Sequence, residues 1–197
     1  MTADDERHEL MEIIKKEGIV TREVLLSSGK KTSYYYDIKR VAGDPKALML
    51  MSKLMIDEII MPNFQDVRSV GGLELGSISL STAIIMTHPH RKRGFLSSFI
   101  VRKNPKEHGL EKKIEGKLQE PILIVDDVIT SGRSIQDAID AIRKENFNVE
   151  GVICVLDREE ESEQRNEFRK VWGRKFFSLF RHSDFKDYIH EKLKQVD

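Results

Sequence analysis

Pro121-Ile122-Leu123-Ile124-Val125-Asp126-Asp127-Val128-Ile129-Thr130-Ser131-Gly132-Arg133-Ser134 is the stretch on which the reading of this chain turns. Residues 122–125 are uniformly apolar and bounded by polar or turn-forming neighbours, which predicts a buried strand. The strand delivers two adjacent carboxylates, Asp126 and Asp127. A short loop of hydroxyls and glycine then opens a helix over residues 133–145. Consecutive backbone N–H groups in such a loop, with the positive end of the helix behind them, form a concavity suited to a phosphate dianion. Gly132 lets the backbone come close, and the hydroxyls of Thr130, Ser131 and Ser134 add hydrogen bonds. The paired acids suit sugar hydroxyls or magnesium, held directly or through water. A plain helix cap or a phosphorylatable acidic pocket would use the same two acids, so the order of the whole string carries the reading.

Outward from this segment, strand and helix patterns alternate. Strands are expected at 67–70, 98–102, 151–156 and 176–180, with helices at 76–86 and 159–171, the latter polar on most faces and therefore at the surface. On the N-terminal side, Leu10, Ile13 and Ile14 recur at helical spacing within residues 5–17, closed by Gly18, and Asp44-Pro45 opens a helix running to about residue 60. Residues 20–41 read as short strands around the turn Ser28-Gly29, and Ser183 reads as the N-cap of a last helix. The fold class is α/β, a mostly parallel central sheet flanked by helices, in which ligands collect at the carboxyl ends of the strands.

The chain has 197 residues, enough for one domain with its own core, with 33 basic and 33 acidic side chains. That balance gives no overall field for nucleic acid or an anionic membrane. The single cysteine, Cys154, lies in the apolar run 152–156, fits a small buried hydrophobe, and suits a reducing cytoplasm. Residues 1–9 are charged, unlike a signal peptide, and no run approaches the ~18 apolar residues of a membrane span. The expectation is a soluble cytoplasmic protein.

Three further constellations bear on chemistry. Arg102-Lys103-Asn104-Pro105-Lys106-Glu107-His108-Gly109 follows a strand and gathers four cationic or titratable side chains where proline and glycine start a loop, a cluster able to neutralise a polyphosphate. A solvated basic loop is the ordinary alternative. Tyr34-Tyr35-Tyr36 and Arg158, in Leu156-Asp157-Arg158, offer aromatic surface and a cation, although strand packing and a surface ion pair explain them equally well. The string Val70-Gly71-Gly72-Leu73-Glu74-Leu75-Gly76 allows backbone amides close approach to oxygen, or is simply a turn before a helix.

Taken together, the acid-pair string, the pattern Arg-Lys-x-x-Lys-x-His-Gly and Leu-Asp-Arg resemble type I phosphoribosyltransferases of the orotate branch over roughly residues 20–158. The resemblance implies one phosphoribosyltransferase domain, residues 1–197, in which about residues 1–45 form a helix and hood contributing to the base pocket. It implies that Asp126 and Asp127 meet the ribose hydroxyls of phosphoribosyl pyrophosphate, that Thr130, Ser131, Gly132, Arg133 and Ser134 hold its 5′-phosphate, and that Val128 and Ile129 also line the site for this substrate. Arg102, Lys106 and His108 would serve the pyrophosphate bound in a partner subunit and Lys103 that of its own, so a homodimer with shared sites follows. Lys106 and His108, with Asp126 and Asp127, are the expected catalytic residues, His108 as a proton donor. Tyr35, Tyr36, Thr130 and Arg158 would border orotate. The cofactor is Mg2+, carried mainly by the substrate and reached by Asp126 or Asp127 through water.

The chain departs from the family pattern at Ser27, where a lysine is common, at Ser79, where proline is common, and at Arg133, a bulky residue in a loop of small ones. Transfer to another base and a non-catalytic regulator binding phosphoribosyl ligands are the competing functions. Retention of Arg158 favours an acidic base, and retention of Arg102, Lys106 and His108 favours catalysis. A decarboxylase that consumes the product would be a separate chain. His88-Pro89-His90-Arg91-Lys92-Arg93 lacks the ligands of a metal site and reads as a solvent-facing loop, while Met49, Met51, Met55, Met61 and Trp172 read as packing.

Overall fold

The computed structural model describes residues 2–25, 31–88, 96–104 and 113–195. Helix α1 (Ala3–Ile13) starts at a capping box, in which the Thr2 side chain accepts from the Asp5 amide and Asp5 accepts from the Thr2 amide, and it runs into a π-helical turn, Ile14–Gly18. Four two-residue strands follow: β1 (Ile19–Val20), β2 (Val24–Leu25), β3 (Lys31–Thr32) and β4 (Tyr35–Tyr36). They pair antiparallel, β1 with β4 (Ile19 against Tyr36) and β2 with β3 (Val24 against Thr32). A short helix that the sequence reading missed, α2 (Ile38–Val41), is capped by Asp37. Asp44 then caps α3 (Pro45–Leu54), its side chain accepting from the Ala47 amide at 2.8 Å with Pro45 in the first turn, as expected. A π-helical turn, Met55–Ile60, and α4 (Met61–Asn63) complete this segment.

The rest alternates strand and helix: β5 (Ser69–Leu73), α5 (Gly76–Thr87), β6 (Ser97–Val101), β7 (Ile114–Gly116), β8 (Ile122–Ile129), α6 (Arg133–Lys144), β9 (Val149–Asp157), α7 (Glu163–Trp172), β10 (Phe176–Arg181), a 3-10 turn (His182–Asp184) and α8 (Lys186–Lys194). One six-stranded sheet has the order β10-β9-β8-β5-β6-β7, parallel throughout except for β7, which is antiparallel to β6. The chain builds outward in one direction from β5 to β6 and in the other from β8 to β10. The carboxyl ends of β5 and β8 therefore flank the switch point, where an open parallel sheet leaves a crevice.

Both faces of the sheet are covered, which explains why β8 reads as a continuous apolar run. Leu123 and Val125 pack with Leu10, Met51, Met55, Leu80, Ile84, Phe180 and Phe185. Ile122 and Ile124 turn the other way, towards Ile139, Ile142, Val152, Cys154, Phe168 and Trp172. Cys154 and Trp172 are buried as expected, and so are Met51 and Met55, whereas Met49 and Met61 are exposed. Among the described residues no helix is long and apolar enough to cross a membrane.

Several boundaries differ from expectation. β8 runs through both aspartates to Ile129, because the β9 partners Cys154 to Asp157 keep its backbone in the ladder beyond the apolar run. Ser183 does not cap the last helix. Instead Asp184 accepts from the Arg181 amide at 2.7 Å, closing a 3-10 turn, and α8 starts after Phe185. The polar stretch 159–171 becomes a helix only from Glu163, with Ser162 as its cap, and it buries Arg165, Phe168 and Trp172. Strand β7 was not anticipated.

Candidate active site

Asp126 and Asp127 sit inside β8 and are 7% and 4% exposed. The Asp127 amide donates to Asp126 Oδ1 at 2.9 Å, and Lys39 of α2 donates to Asp127 Oδ2 at 2.6 Å. Burial, and then the charge of Asp127, push the Asp126 carboxyl well above the usual carboxylate range, with the Asp127 amide and Lys39 opposing only in part. Burial alone would lower the Lys39 ammonium, but the charge of Asp127 and the hydrogen bond to it reverse the sign and hold it above its ordinary value. The sequence reading missed Lys39. It lies 88 residues from its partner, on a helix too short to leave a periodic signal.

The turn from β5 into α5 roofs the acid pair. A Cβ at Gly76 would overlap Asp126 Oδ1 and Asp127 Oδ1, so only glycine lets this turn approach the carboxylates. The Glu74–Leu75 peptide in the same turn is cis. Glu74 accepts from the Lys103 amide at 2.9 Å, tying the end of β6 to the turn. Arg102 stands beside it, its Nη1 3.8 Å from Glu115 of β7 and its amide donating to the Lys113 carbonyl. Arg102 and Lys103 thus lie at the same carboxyl end of the sheet as the Gly76 turn. Lys106 and His108 fall outside the described residues, as does Ser27.

Beyond the acids, Val128 and Ile129 finish the strand, and Thr130 and Ser131 are half-buried. Gly132 takes φ +85°, a left-handed conformation that other residues adopt at a cost, and a Cβ there would press on the Phe168 ring at 2.6 Å. Helix α6 opens at this turn, with the amides of its first turn lacking partners within the helix; that of Arg133 reaches only Ser131 Oγ, at 3.4 Å. Ser134 and Arg133 are exposed. Arg133 lines a cavity of about 500 Å³ between α6 and α7 with Gln136, Glu163, Glu167 and Trp172, so its bulk has room beside the loop.

Arg158 follows β9, its amide bonded to the Ile129 carbonyl, which fixes it next to the end of β8. Its guanidinium carbon is 5.2 Å from the centroid of the Tyr34 ring. The Tyr34 ring in turn stacks on His182 at 5.2 Å with 10° between planes. Tyr36 is 2% exposed and its hydroxyl meets His182 Nδ1 at 2.8 Å, while Tyr35 is half-buried. Burial raises the Tyr36 phenol far above its ordinary value, so it remains protonated. The aromatic ring facing Arg158 is thus Tyr34, backed by His182. No local pattern in the sequence marks His182, which lies 146 residues from Tyr36.

Comparison with known proteins agrees with this arrangement. Residues 79–174 match the phosphoribosyl transferase domain. The chain is 38% identical over 159 residues to the orotate phosphoribosyltransferase of Methanocaldococcus jannaschii, covering 78% of this chain and 84% of that one. It is 33% identical over 196 residues to the orotate phosphoribosyltransferase of Bradyrhizobium diazoefficiens, covering 94% and 98%. Among solved structures, it is similar to Mycobacterium tuberculosis orotate phosphoribosyltransferase in complex with 5-phospho-alpha-D-ribosyl 1-diphosphate, at a TM-score of 0.71 and 30% identity, over 92% of this chain and 99% of that one. With a parallel sheet of this order, an acid pair ahead of a glycine turn, and relatives alike over most of their length, the chain belongs to the orotate phosphoribosyltransferase family.

Proposed function

We propose that this chain transfers ribose-5-phosphate from phosphoribosyl pyrophosphate to orotate, giving orotidine 5′-phosphate and pyrophosphate. The buried acid pair at the end of β8, roofed by Gly76 and followed by the Gly132 turn into α6, carries the reading. In the reaction the bond from C1′ to the pyrophosphate oxygen breaks, a bond from C1′ to the orotate ring nitrogen forms, and that nitrogen releases its proton. Charge develops on the sugar as an oxocarbenium ion and on the departing pyrophosphate. Rate then comes from alignment and from electrostatic stabilisation of both.

The acids Asp126 and Asp127 grip the ribose hydroxyls, and the amides and hydroxyls from Val128 to Ser134 hold the 5′-phosphate. Arg102, Lys103, Lys106 and His108 neutralise the leaving group, with His108 as its proton donor. Thr130, Tyr35 and Arg158 border the base, and Arg158 pairs with its carboxylate. The ring of Tyr36 is buried, so this residue takes part through its backbone and through the support it gives His182. Among the described residues no group of three or more His, Cys, Asp or Glu side chains could hold a metal. Two hard carboxylates do fit a magnesium ion that draws its remaining oxygens from water and substrate. Asp126 or Asp127 would meet that ion through water, and the ion would supply positive charge against the pyrophosphate.

We read the enzyme as a cytoplasmic homodimer whose basic loop serves the partner's site, and the chain as one domain in which residues 1–45 form the hood. Incubating the purified protein with orotate, phosphoribosyl pyrophosphate and magnesium tests the activity. Consumption of orotate that stops on chelation is expected, and turnover confined to another base would replace orotate as the substrate.

A further inference from the structure

His182 enters the proposed reaction only as the partner of the Tyr36 hydroxyl, yet its ring is held on two sides beside Arg158. Two contacts converge on it. Its ring lies nearly parallel to Tyr34 at 5.2 Å, a stacked geometry that fixes the ring plane. The Tyr36 hydroxyl meets Nδ1 at 2.8 Å. Because that phenol stays protonated, it donates, so Nδ1 accepts and the neutral ring carries its proton on Nε2. Tyr36 itself packs edge-on against Phe185 at 6.0 Å, which anchors the assembly in the core. Tyr34 is left with His182 stacked on it and the Arg158 guanidinium 5.2 Å from its centroid.

We propose that His182 is a positioning residue that sets the specificity of this site for a planar anionic base, by holding Tyr34 as the wall against which the Arg158 guanidinium is aimed. The proposal rests on the phosphoribosyl transfer read above and deepens it, because it names what orients the cation that reads the base. Without the His182 ring, Tyr34 keeps its edge contact with Tyr36, at 5.7 Å, but loses the stacked face that fixes the plane it presents to Arg158. A planar carboxylate-bearing base would then meet a mobile guanidinium, whereas the phosphoribosyl half of the site, at Asp126, Asp127 and Gly132, would be untouched.

A second consequence concerns protons. The charged and titratable groups around the imidazole are Tyr34 and Tyr36 of the hood, Arg158 and Glu159 after β9, Arg181 at the end of β10, Asp184 in its own turn, and Lys186 of α8. Burial, then the nearby Arg158 charge, hold His182 below the ordinary imidazole value, so the ring is neutral in the free enzyme near neutral pH. An anion paired with Arg158 cancels part of that repulsion and makes protonation of His182 easier. By reciprocity, a proton on His182 tightens binding of the anion.

The experiment is steady-state kinetics of the full chain with orotate and phosphoribosyl pyrophosphate, from about pH 6 to about pH 8, the range in which histidine titrates. His182→Ala is expected to raise KM for orotate about tenfold, the factor that 1.4 kcal/mol represents. Its kcat and its KM for phosphoribosyl pyrophosphate should stay within about twofold of the wild type. His182→Phe keeps a ring to stack on Tyr34 but has no titrating nitrogen. It should restore KM for orotate near pH 8 and abolish the fall in KM towards acid that is expected of the wild type. Should His182→Ala prove too unstable to assay, His182→Phe decides alone through its pH profile. Unchanged KM for orotate in His182→Ala, or a His182→Phe profile that follows the wild type, would overturn the inference and leave the activity standing. A wild type that turns over phosphoribosyl pyrophosphate only with uncharged bases would overturn the orotate reading instead.

Discussion

Asp127, two residues before the end of β8, and Asp157, the last residue of β9, each bind a cation, but the two pairs differ in what surrounds them. Lys39 reaches Asp127 from the hood with about half of its side chain in solvent, so its ammonium can leave the carboxylate without being stranded. Arg165 is 1% exposed, lies between the rings of Phe168 and Phe176, and meets Asp157 Oδ2 at 2.5 Å. Its Nε and Nη1 are buried without hydrogen-bond partners among the described residues. The first pair is half open to solvent, so the lysine can be displaced by another partner of the acid. The second is sealed, and it props Phe168, on which the Gly132 turn rests. The two strands thus carry one pair half open to solvent and one pair closed off from it.

The largest expected effect tests the sealed pair. Arg165→Met leaves Asp157 charged, buried and without its cation, a loss that costs about 3–5 kcal/mol in comparable buried pairs. Chemical denaturation of the folded chain should report it. Adding Asp157→Leu removes the stranded charge and should recover much of the loss, although Asp157 Oδ1 also accepts from the Glu159 amide. If Arg165→Met alone were neutral, the pair would not be the fixed member of the comparison.

At the exchangeable end the effect should fall on rate. Asp127→Asn is expected to lower kcat/KM by about 10²–10³-fold, the scale on which one preorganised electrostatic contact acts. Asp126→Asn should do the same to rate while stabilising the fold. The Asp126 carboxyl titrates higher in the folded chain than its unfolded value of about 3.9, so folding is favoured by its proton. That contribution is complete below the unfolded value and is lost as pH rises through the folded one. Unfolding measured from acid to neutral pH should therefore show the Asp126→Asn variant gaining on the wild type as pH rises, and parallel curves would sink the argument.

Gly132 joins the two ends. Gly132→Ala imposes a left-handed backbone on a residue with a Cβ, at about 1–2 kcal/mol, and drives that Cβ towards the Phe168 ring. Thermal unfolding should report the loss, and KM for phosphoribosyl pyrophosphate should rise with it. An unaffected KM would show that the Gly132 turn does not hold the phosphate as proposed.

What was legible in the sequence follows the same division. The apolar run 122–125, the two acids and the hydroxyl-glycine loop are contiguous, so a local pattern found the strand, its carboxylates and the turn into α6. Lys39 and His182 join the site only through contacts 88 and 146 residues apart along the chain, and neither sits in a periodic segment. Arg165 was hidden for a different reason. Residues 159–171 are so polar that a surface helix was the natural reading, yet the partner that makes a buried arginine tolerable, Asp157, lies on the preceding strand. The sequence shows charge but not which charges are desolvated together. The same limit ended β8 too early: an aspartate looks like the end of a strand until β9 is known to continue beside it.

The smallest effect is the one that defines the contrast. Lys39→Met removes a half-exposed ammonium, and such pairs contribute about 0–1 kcal/mol, so denaturation should move only slightly near neutral pH. Lys39 titrates higher in the folded chain than its unfolded value of about 10.4. Its small contribution is therefore present below that value and disappears as pH rises through the folded one, which confines any difference between wild type and variant to the range below strongly alkaline pH. A loss from Lys39→Met as large as that from Arg165→Met would mean that Asp127 cannot release its lysine without unfolding its surroundings. The acid pair would then be as fixed as the pair on β9, and a ribose hydroxyl could not take Lys39's place at that carboxylate.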